Sequence, residues 1–121
     1  MTATGVLCVA LGGALGSVAR YLLTLLAVAQ LGAGFPWGTL AINIAGSALI
    51  GVAAGLGASG EWRLFLVTGV LGGFTTFSAF SLETGLLWER SPTLAVSYVA
   101  ASVILALAGF ALCFGLARRW A

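Results

Sequence analysis

Four long apolar segments, separated by short polar or glycine-rich stretches, dominate the pattern of hydrophobic and polar positions along the 121-residue chain. Each segment is roughly 20 residues long, the length that an α-helix needs to cross a hydrocarbon core about 30 Å thick. The pattern therefore predicts an all-α membrane protein with a single four-helix transmembrane domain over residues 1–121. The predicted helices are Val6–Leu31, Thr39–Leu56, Leu64–Trp88 and Leu94–Leu116.

The connections between these segments carry turn and interface signals. The stretches "GAGFPWG" at 32–38 and "GASGEWR" at 57–63 combine glycines with a tryptophan, a residue that favours the membrane surface. The stretch "ERSPT" at 89–93 adds charges and a proline, which end a helix. The first apolar segment is too long for a cleavable signal peptide, so we predict that it is a membrane helix.

Composition supports this class of protein and excludes several functions. Of the residues, 61% are hydrophobic and only 7% are charged, and the mean hydropathy is +1.16. A chain of this composition has too few polar residues to cover the surface of a soluble globule. The chain has no histidine and three acidic residues, so imidazole metal sites and most catalytic triads are excluded and an enzyme is not expected. The five basic residues form no basic block, which gives no support for nucleic-acid binding.

Glycines four residues apart recur in three of the predicted helices. Helix association in lipid depends on close approach of backbones, and small residues at this spacing permit it. Since four thin helices enclose no pore of their own, we also expect the chain to form an oligomer. The predicted packing positions are Gly12 with Gly16, Gly51 with Gly55, and Gly69 with Gly73.

Arginines near the helix ends favour one orientation. Arg63, Arg118 and Arg119 share the side of the N-terminus, and Arg90 lies on the other side. Because cytoplasmic loops carry an excess of arginine, the N-terminus is predicted to be cytoplasmic. The bias is small, so insertion in both orientations, known as dual topology, stays open.

Polar groups inside the spans are costly unless they are paired or face water, so they are the candidate functional residues. Arg20 lies more than halfway along the first helix. One interpretation is a side chain that extends to the membrane surface. The alternative is an aqueous vestibule, where its positive charge attracts anions.

Asn43 in the second helix has two interpretations as well. Its amide can form a hydrogen bond that holds the helices together. It can also offer N–H donors without net charge to a passing hydrogen-bond acceptor. Thr39 lies four residues earlier on the same helix face and could line the same path.

The segment "GGFTTFSAFSLE", residues 72–83, interrupts the third apolar segment with glycines and hydroxyls. Gly72 and Gly73 weaken the helix, and the hydroxyls of Thr75 and Thr76 can cap a new half-helix after them. Carbonyls freed at membrane depth are tolerated when they are buried or coordinate a small cation, for which Na+ is the natural candidate. The alternative is an unbroken helix whose hydroxyls bond the preceding turn.

Phe77 and Phe80 lie three residues apart, on one face of the second half-helix. Such rings usually pack against other side chains or lipid. Their positive edges can also attract an anion without the strength of a full charge, which suits conduction. Glu83 follows three residues later, and we predict a structural ion pair with Arg20 or another arginine rather than a role in conduction.

Three motifs, in this order, resemble the Fluc/CrcB family of fluoride channels: "GGALGSVARY", "FPWGTLAINIAGS" and "GVLGGFTTFSAFSLE". The resemblance covers nearly the whole chain, and "GGFTTFS" with the upstream asparagine is its most specific part. It implies a small antiparallel dimer in the plasma membrane of bacteria. Two pores at the subunit interface would let fluoride leak passively out of the cell and so confer fluoride resistance. The residue chemistry indicates a small anion; fluoride rather than chloride comes from the resemblance alone.

The resemblance also implies roles for individual residues. A structural Na+ at the dimer centre would lie on the main-chain oxygens of Gly72 and Thr75 from both subunits. The implied fluoride pore consists of Asn43 as the pore amide, Phe77 and Phe80 as the pore-facing rings, Thr39 and Ser78 as a polar track, and Arg20 as the vestibule arginine.

The sequence departs from the family pattern in two places. Ala79 stands where many relatives carry a threonine, and residues 106–112 lack a hydroxyl where relatives continue the track through the fourth helix, which leaves the serines Ser97 and Ser102. A thinner track leaves open whether both pores conduct. The expected partners are therefore fluoride, membrane lipid, and either a second copy of the chain or a paralogous subunit.

Two rival functions remain at the level of sequence. A small four-helix multidrug exporter is also dimeric, but it needs a carboxylate in its first helix, where this chain carries Arg20. A non-conducting membrane subunit that only supports partners is the other rival. Scaffolding requires no freed carbonyls, so the predicted helix break argues against it.

Overall fold

In the computed structural model, which describes all 121 residues, the chain forms four helical spans. Each span is long and apolar enough to cross a membrane. The predicted all-α architecture with four transmembrane helices is confirmed. The spans are Ala3–Leu31, Trp37–Gly55, Gly60–Arg90 and Pro92–Arg118.

Capping explains where the first and fourth helices begin. The first starts at Ala3 rather than Val6, because the Thr2 hydroxyl accepts a hydrogen bond from the Gly5 N–H at 3.0 Å. The fourth starts at Pro92, a residue that fits the first turn because its missing N–H would have no helical partner there. The predicted loop at 89–93 is therefore wrong, and Ser91 alone separates the two helices.

The connection after the second helix is also shorter than predicted. The helix runs from Trp37 to Gly55, and the chain is helical again from Gly60 to Arg63, so the second half of the predicted loop at 57–63 is wrong. Gly57 and Gly60 adopt positive φ angles of 77° and 64°, which glycine tolerates without steric cost. These two residues allow the chain to reverse within a few positions.

The third span contains the predicted break. Its backbone is extended at Thr75, with φ −81° and ψ 156°, and helix resumes at Ser78–Arg90. We call the part before Thr75 the first half-helix and Ser78–Arg90 the second half-helix. The first half-helix includes a π-helical stretch at Leu64–Leu71, which the sequence there did not predict.

All six glycines predicted to pack closely do so, because a Cβ atom at any of them would come too near a neighbouring helix. Gly12 and Gly16 bring the first helix against the carbonyls of Phe65 and Val70 on the first half-helix. The remaining four contacts join Gly51 to Phe110, Gly55 to Phe114, Gly69 to Gly12, and Gly73 to Gly13.

The helices pack as two pairs that meet at the break. The first helix runs along the first half-helix, and the second helix makes its largest contact with the fourth. The buried core is small and centres on Leu40, Leu87, Ala95 and Tyr98. Only 17 of 121 residues are buried, so most side chains of this single chain face outward, toward lipid or another chain.

Candidate functional site

The hydroxyls beside the break have different roles. Thr76 Oγ1 accepts a hydrogen bond from the Ala79 N–H at 3.1 Å, so Thr76 caps the second half-helix as predicted. Thr75 Oγ1 instead donates to the Leu71 carbonyl at 2.9 Å, which is a bond back to the preceding turn. The prediction that Thr75 also caps is therefore wrong.

Asn43 of the second helix binds the main chain of the break through two hydrogen bonds. Its Nδ2 donates to the Thr76 carbonyl at 2.9 Å, and its Oδ1 accepts from the Thr76 N–H at 2.8 Å. The interpretation that the Asn43 amide holds the helices together is therefore correct for its Oδ1 and for one of its N–H groups. An asparagine amide has two N–H donors, so one remains available.

Arg20 of the first helix binds the break at a second point. Its Nε donates to the Gly73 carbonyl at 3.1 Å, and the side chain is half-buried. Arg20 thus reaches the interior of the bundle instead of extending to the membrane surface. Side chains from the first and second helices together satisfy three of the polar main-chain groups that the break exposes.

The carbonyls of Gly72 and Thr75 accept no hydrogen bond from main chain or side chain. Unpaired carbonyls at membrane depth are costly unless they are buried in protein or bind a ligand. No three His, Cys, Asp or Glu side chains cluster in the chain.

Phe77 and Phe80 form a ring pair at the start of the second half-helix. Their centroids lie 5.5 Å apart at an interplanar angle of 57°. Phe77 is 78% exposed in this chain, whereas Phe80 is half-buried and packs against Tyr98 at 5.2 Å. The pair therefore presents one open ring and one held ring on the same side of the break.

A cavity of about 510 Å³ lies against the break. It brings together five of the eight predicted site residues: Asn43, Gly72, Thr75, Phe77 and Phe80. No charged side chain lines it. The other lining residues are Ser47, Ile50, Thr76, Ser102, Val103, Ala106 and Leu107.

The other three predicted site residues lie outside the cavity. Arg20 is bound to the carbonyl of Gly73. Ser78 is exposed, with its Oγ 3.3 Å from Thr76 Oγ1. Thr39 is 4% exposed and lies beside Glu83 and Tyr98.

Glu83 does not form the predicted ion pair with Arg20. The Arg20 guanidinium binds the Gly73 carbonyl, and one carboxylate oxygen of Glu83 is buried without a hydrogen-bond partner. The polar neighbours of Glu83 are Thr39 and Tyr98, and the Tyr98 hydroxyl is also buried without a partner.

Sequence reasoning missed two polar residues near the break. Ser47 lines the cavity and lies four residues after Asn43, so the helical spacing that linked Thr39 to Asn43 could have found it. Tyr98 is fully buried in the fourth helix beside Phe80. Its hydroxyl, a polar group inside a membrane span, was the available signal.

Comparison with known proteins adds to this geometry. Residues 7–116 match the family described as CrcB-like protein, Camphor Resistance (CrcB). A protein of Agrobacterium fabrum named fluoride-specific ion channel FluC is 56% identical over 106 residues, which is 83% of this chain and 85% of that protein. A protein of the same name from Hyphomonas neptunium is 49% identical over 122 residues, covering 95% and 96% of the two chains.

Proposed function

The chain belongs to the CrcB-like family, and on this premise we propose that it is a fluoride-specific channel that lets fluoride leave the bacterial cytoplasm passively. It is a multi-pass membrane protein of bacteria and not an enzyme. Passive loss of fluoride from the cytoplasm would give the cell resistance to this ion. The multidrug-exporter alternative is removed by the family assignment.

One observation carries the proposal: the cavity at the break is lined by neutral hydrogen-bond donors and two phenylalanine rings but by no charged side chain. A neutral amide N–H and the positive edges of phenylalanine rings attract a small anion. Because none of these groups carries a full charge, the ion is held weakly enough to leave again, which conduction requires.

Within this cavity we assign the ion contacts to Asn43, Phe77 and Phe80. The free N–H of Asn43 donates to the ion, and its other two contacts with Thr76 fix the amide in place. The ring pair provides the next contacts along the path. Arg20, Thr39 and Ser78 lie outside the cavity, and we propose that they act on the ion at the ends of the path.

We also propose that the break binds a structural Na+. The carbonyls of Gly72 and Thr75 fit this ion, since both are oxygen donors without a hydrogen bond and they lie close together in the chain. Neutral carbonyls at broken membrane helices are suitable Na+ ligands. A bound Na+ would coordinate the two free carbonyls. Asn43 and Arg20 would continue to bind the main-chain groups of Thr76 and Gly73.

Two carbonyls are too few for a cation, and this supports an antiparallel pairing of two chains. A second copy that places its own break beside the first would double the number of oxygen ligands. Phe77, which is 78% exposed here, would then be covered. A paralogous subunit could supply the same surface, so the partner is either a second copy or such a paralogue.

Fluoride efflux from liposomes tests the proposed function. The purified protein is reconstituted into liposomes loaded with potassium fluoride, and external fluoride is followed with an electrode after a potassium ionophore is added. We expect rapid fluoride efflux, and no comparable chloride efflux from liposomes loaded with potassium chloride. Equal release of both ions would contradict fluoride specificity.

Absence of efflux would contradict a channel made of this chain alone. The same experiment with a co-expressed paralogous subunit then distinguishes the remaining alternatives. Efflux only from the mixed protein would identify the chain as one subunit of a heteromeric channel. Absence of efflux there as well would reject the proposed function.

A further inference from the structure

A continuous series of aromatic rings connects the loop between the first two helices to the ring pair at the break. Phe35 packs edge-on against Tyr98, with centroids 5.5 Å apart and an interplanar angle of 85°. Tyr98 packs against Phe80 at 5.2 Å, and Phe80 against Phe77 at 5.5 Å. The loop residue Phe35 is thus two ring contacts away from the cavity.

Tyr98 depends on these contacts for its position. Its side chain is fully buried, and its hydroxyl has no hydrogen-bond partner. Packing therefore fixes the ring, which lies between Phe35 on one side and Phe80 on the other. Edge-to-face ring contacts have a directional preference, so Phe35 constrains Tyr98 more closely than an aliphatic side chain would.

The loop that carries Phe35 is itself anchored at one point. Arg90, the last residue of the second half-helix, donates from Nη2 to the Gly34 carbonyl at 2.6 Å. A hydrogen bond from a charged donor is stronger than a neutral one. The anchor joins the loop directly to the helix that carries Phe80, although residues 34 and 90 are 56 positions apart.

From this arrangement we infer that Phe35 and Arg90 are positioning residues of the conduction path. Arg90 holds the loop, the loop holds Phe35 against Tyr98, and Tyr98 holds the Phe80 ring in its place at the cavity wall. Neither Phe35 nor Arg90 lines the cavity, so neither touches the ion. This inference rests on the proposed function, in which Phe80 contacts the ion.

Fluoride efflux of four single variants tests the inference. Phe35→Leu removes the ring, and Arg90→Gln weakens the anchor at an exposed position. Each should lower the rate about fivefold, the effect of losing one ring contact or one anchoring bond. Phe35→Tyr keeps the ring edge and should retain the wild-type rate. Arg118→Gln is the matched control, because Arg118 is an exposed arginine that contacts Phe114 and does not line the cavity.

The double variant Phe35→Leu, Phe80→Leu separates positioning from general destabilisation. If Phe35 acts through Phe80, its substitution lowers the rate no further once the Phe80 ring is gone. The same fivefold loss in both backgrounds would overturn the inference. Wild-type rates in Phe35→Leu and Arg90→Gln would also overturn it, and if Phe35→Leu does not fold, Arg90→Gln alone decides.

A readout independent of transport keeps this test separate from the proposed function. Trp37 packs on Phe35 with centroids 4.6 Å apart. In a background with the other three tryptophans replaced by phenylalanine, Arg90→Gln should shift Trp37 emission as the loop is released. Efflux by the wild type with unchanged variant rates and emission would reject this inference alone. Absence of efflux from the wild type, both alone and with a co-expressed paralogous subunit, would reject the proposed function, and an unchanged emission would then still reject the anchor.

Discussion

At the scale of single residues, Asn43 and Phe80 each combine a structural contact with the role in conduction that we propose for them. Asn43 pairs with both main-chain groups of Thr76 and keeps one N–H free, while Phe80 packs on Tyr98 and also lines the cavity. Leaving a buried main-chain group unpaired costs about 1–3 kcal/mol. Substitutions at these positions therefore have to separate loss of the ion contact from loss of the fold.

Phe80→Leu should lower fluoride efflux about tenfold and leave the oligomer intact, because it removes the ring edge and keeps an apolar side chain of similar size. The measurement is fluoride release from liposomes, with gel filtration in detergent as the check on assembly. Phe114→Leu is the control, since Phe114 stacks on Phe110 away from the cavity. An unchanged rate in Phe80→Leu would exclude the ring from the mechanism.

Asn43→Asp should abolish fluoride efflux. Aspartate can still accept from the Thr76 N–H, but it lacks the amide donors and places a negative charge beside the path of an anion. Two like charges 4 Å apart repel by about 4 kcal/mol at an effective dielectric constant of 20, so a loss of well over tenfold is expected. Ser47→Ala, which removes a neighbouring hydroxyl from the cavity, should change the rate far less. Substantial efflux through the aspartate variant would contradict our assignment of Asn43.

At the scale of elements, the third span depends on its neighbours for its shape. The glycines of the first helix lie against carbonyls of the first half-helix, and Arg20 and Asn43 bind the break from two different helices. Composition predicted the break because glycines and hydroxyls interrupt an apolar run. Its partners could not be predicted, since Asn43 and Thr76 are 33 residues apart and Arg20 and Gly73 are 53 apart.

The difference between local signals and contacts distant in sequence also explains which other predictions agree with the structure. Spacing of four residues correctly predicted the close glycine contacts, because that signal is local to each helix. The predicted ion pair of Glu83 with Arg20 or another arginine was wrong: the Arg20 guanidinium binds the Gly73 carbonyl, and one carboxylate oxygen of Glu83 has no hydrogen-bond partner. The π-helical stretch has no local signal in "LFLVTGVL" and depends on packing.

Gly12→Ala should destabilise the protein, whereas Gly13→Ala should not. A Cβ at Gly12 would collide with the Phe65 carbonyl, while the space around the Gly13 Cβ position is empty. Overpacking of this kind costs about 1–3 kcal/mol. Thermal unfolding of the two variants in detergent gives the comparison, and equal melting temperatures would contradict the helix packing described here.

At the scale of the whole molecule, the function that we propose requires two chains. Few of the residues of a single chain are buried, Phe77 is open, and the carbonyls of Gly72 and Thr75 at the break are free. A pair of chains related by a twofold axis in the membrane plane would cover these features and bring two breaks together. The small arginine bias fits a protein that inserts in both orientations to form such a pair.

Cross-linking tests this assembly. A single cysteine introduced at Phe77, in a background without Cys8 and Cys113, should form a disulfide-linked dimer, because the exposed ring is expected to face its counterpart in the partner. Cross-linking at position 77 is compared with cross-linking of a cysteine placed at Leu107, which lines the same cavity, or at Trp120, which is exposed near the end of the chain. Cross-linking at position 120 but not at position 77 would contradict pairing through the break.

We propose that the third span breaks so that its carbonyls can hold a cation and its phenylalanine rings can contact an anion. A density map of the protein in a lipid environment, obtained in sodium fluoride, tests it most directly. We predict an unwound backbone at residues 75–77 and one cation peak coordinated by the carbonyls of Gly72 and Thr75 from two chains. A continuous third helix with no cation at its centre would contradict the account.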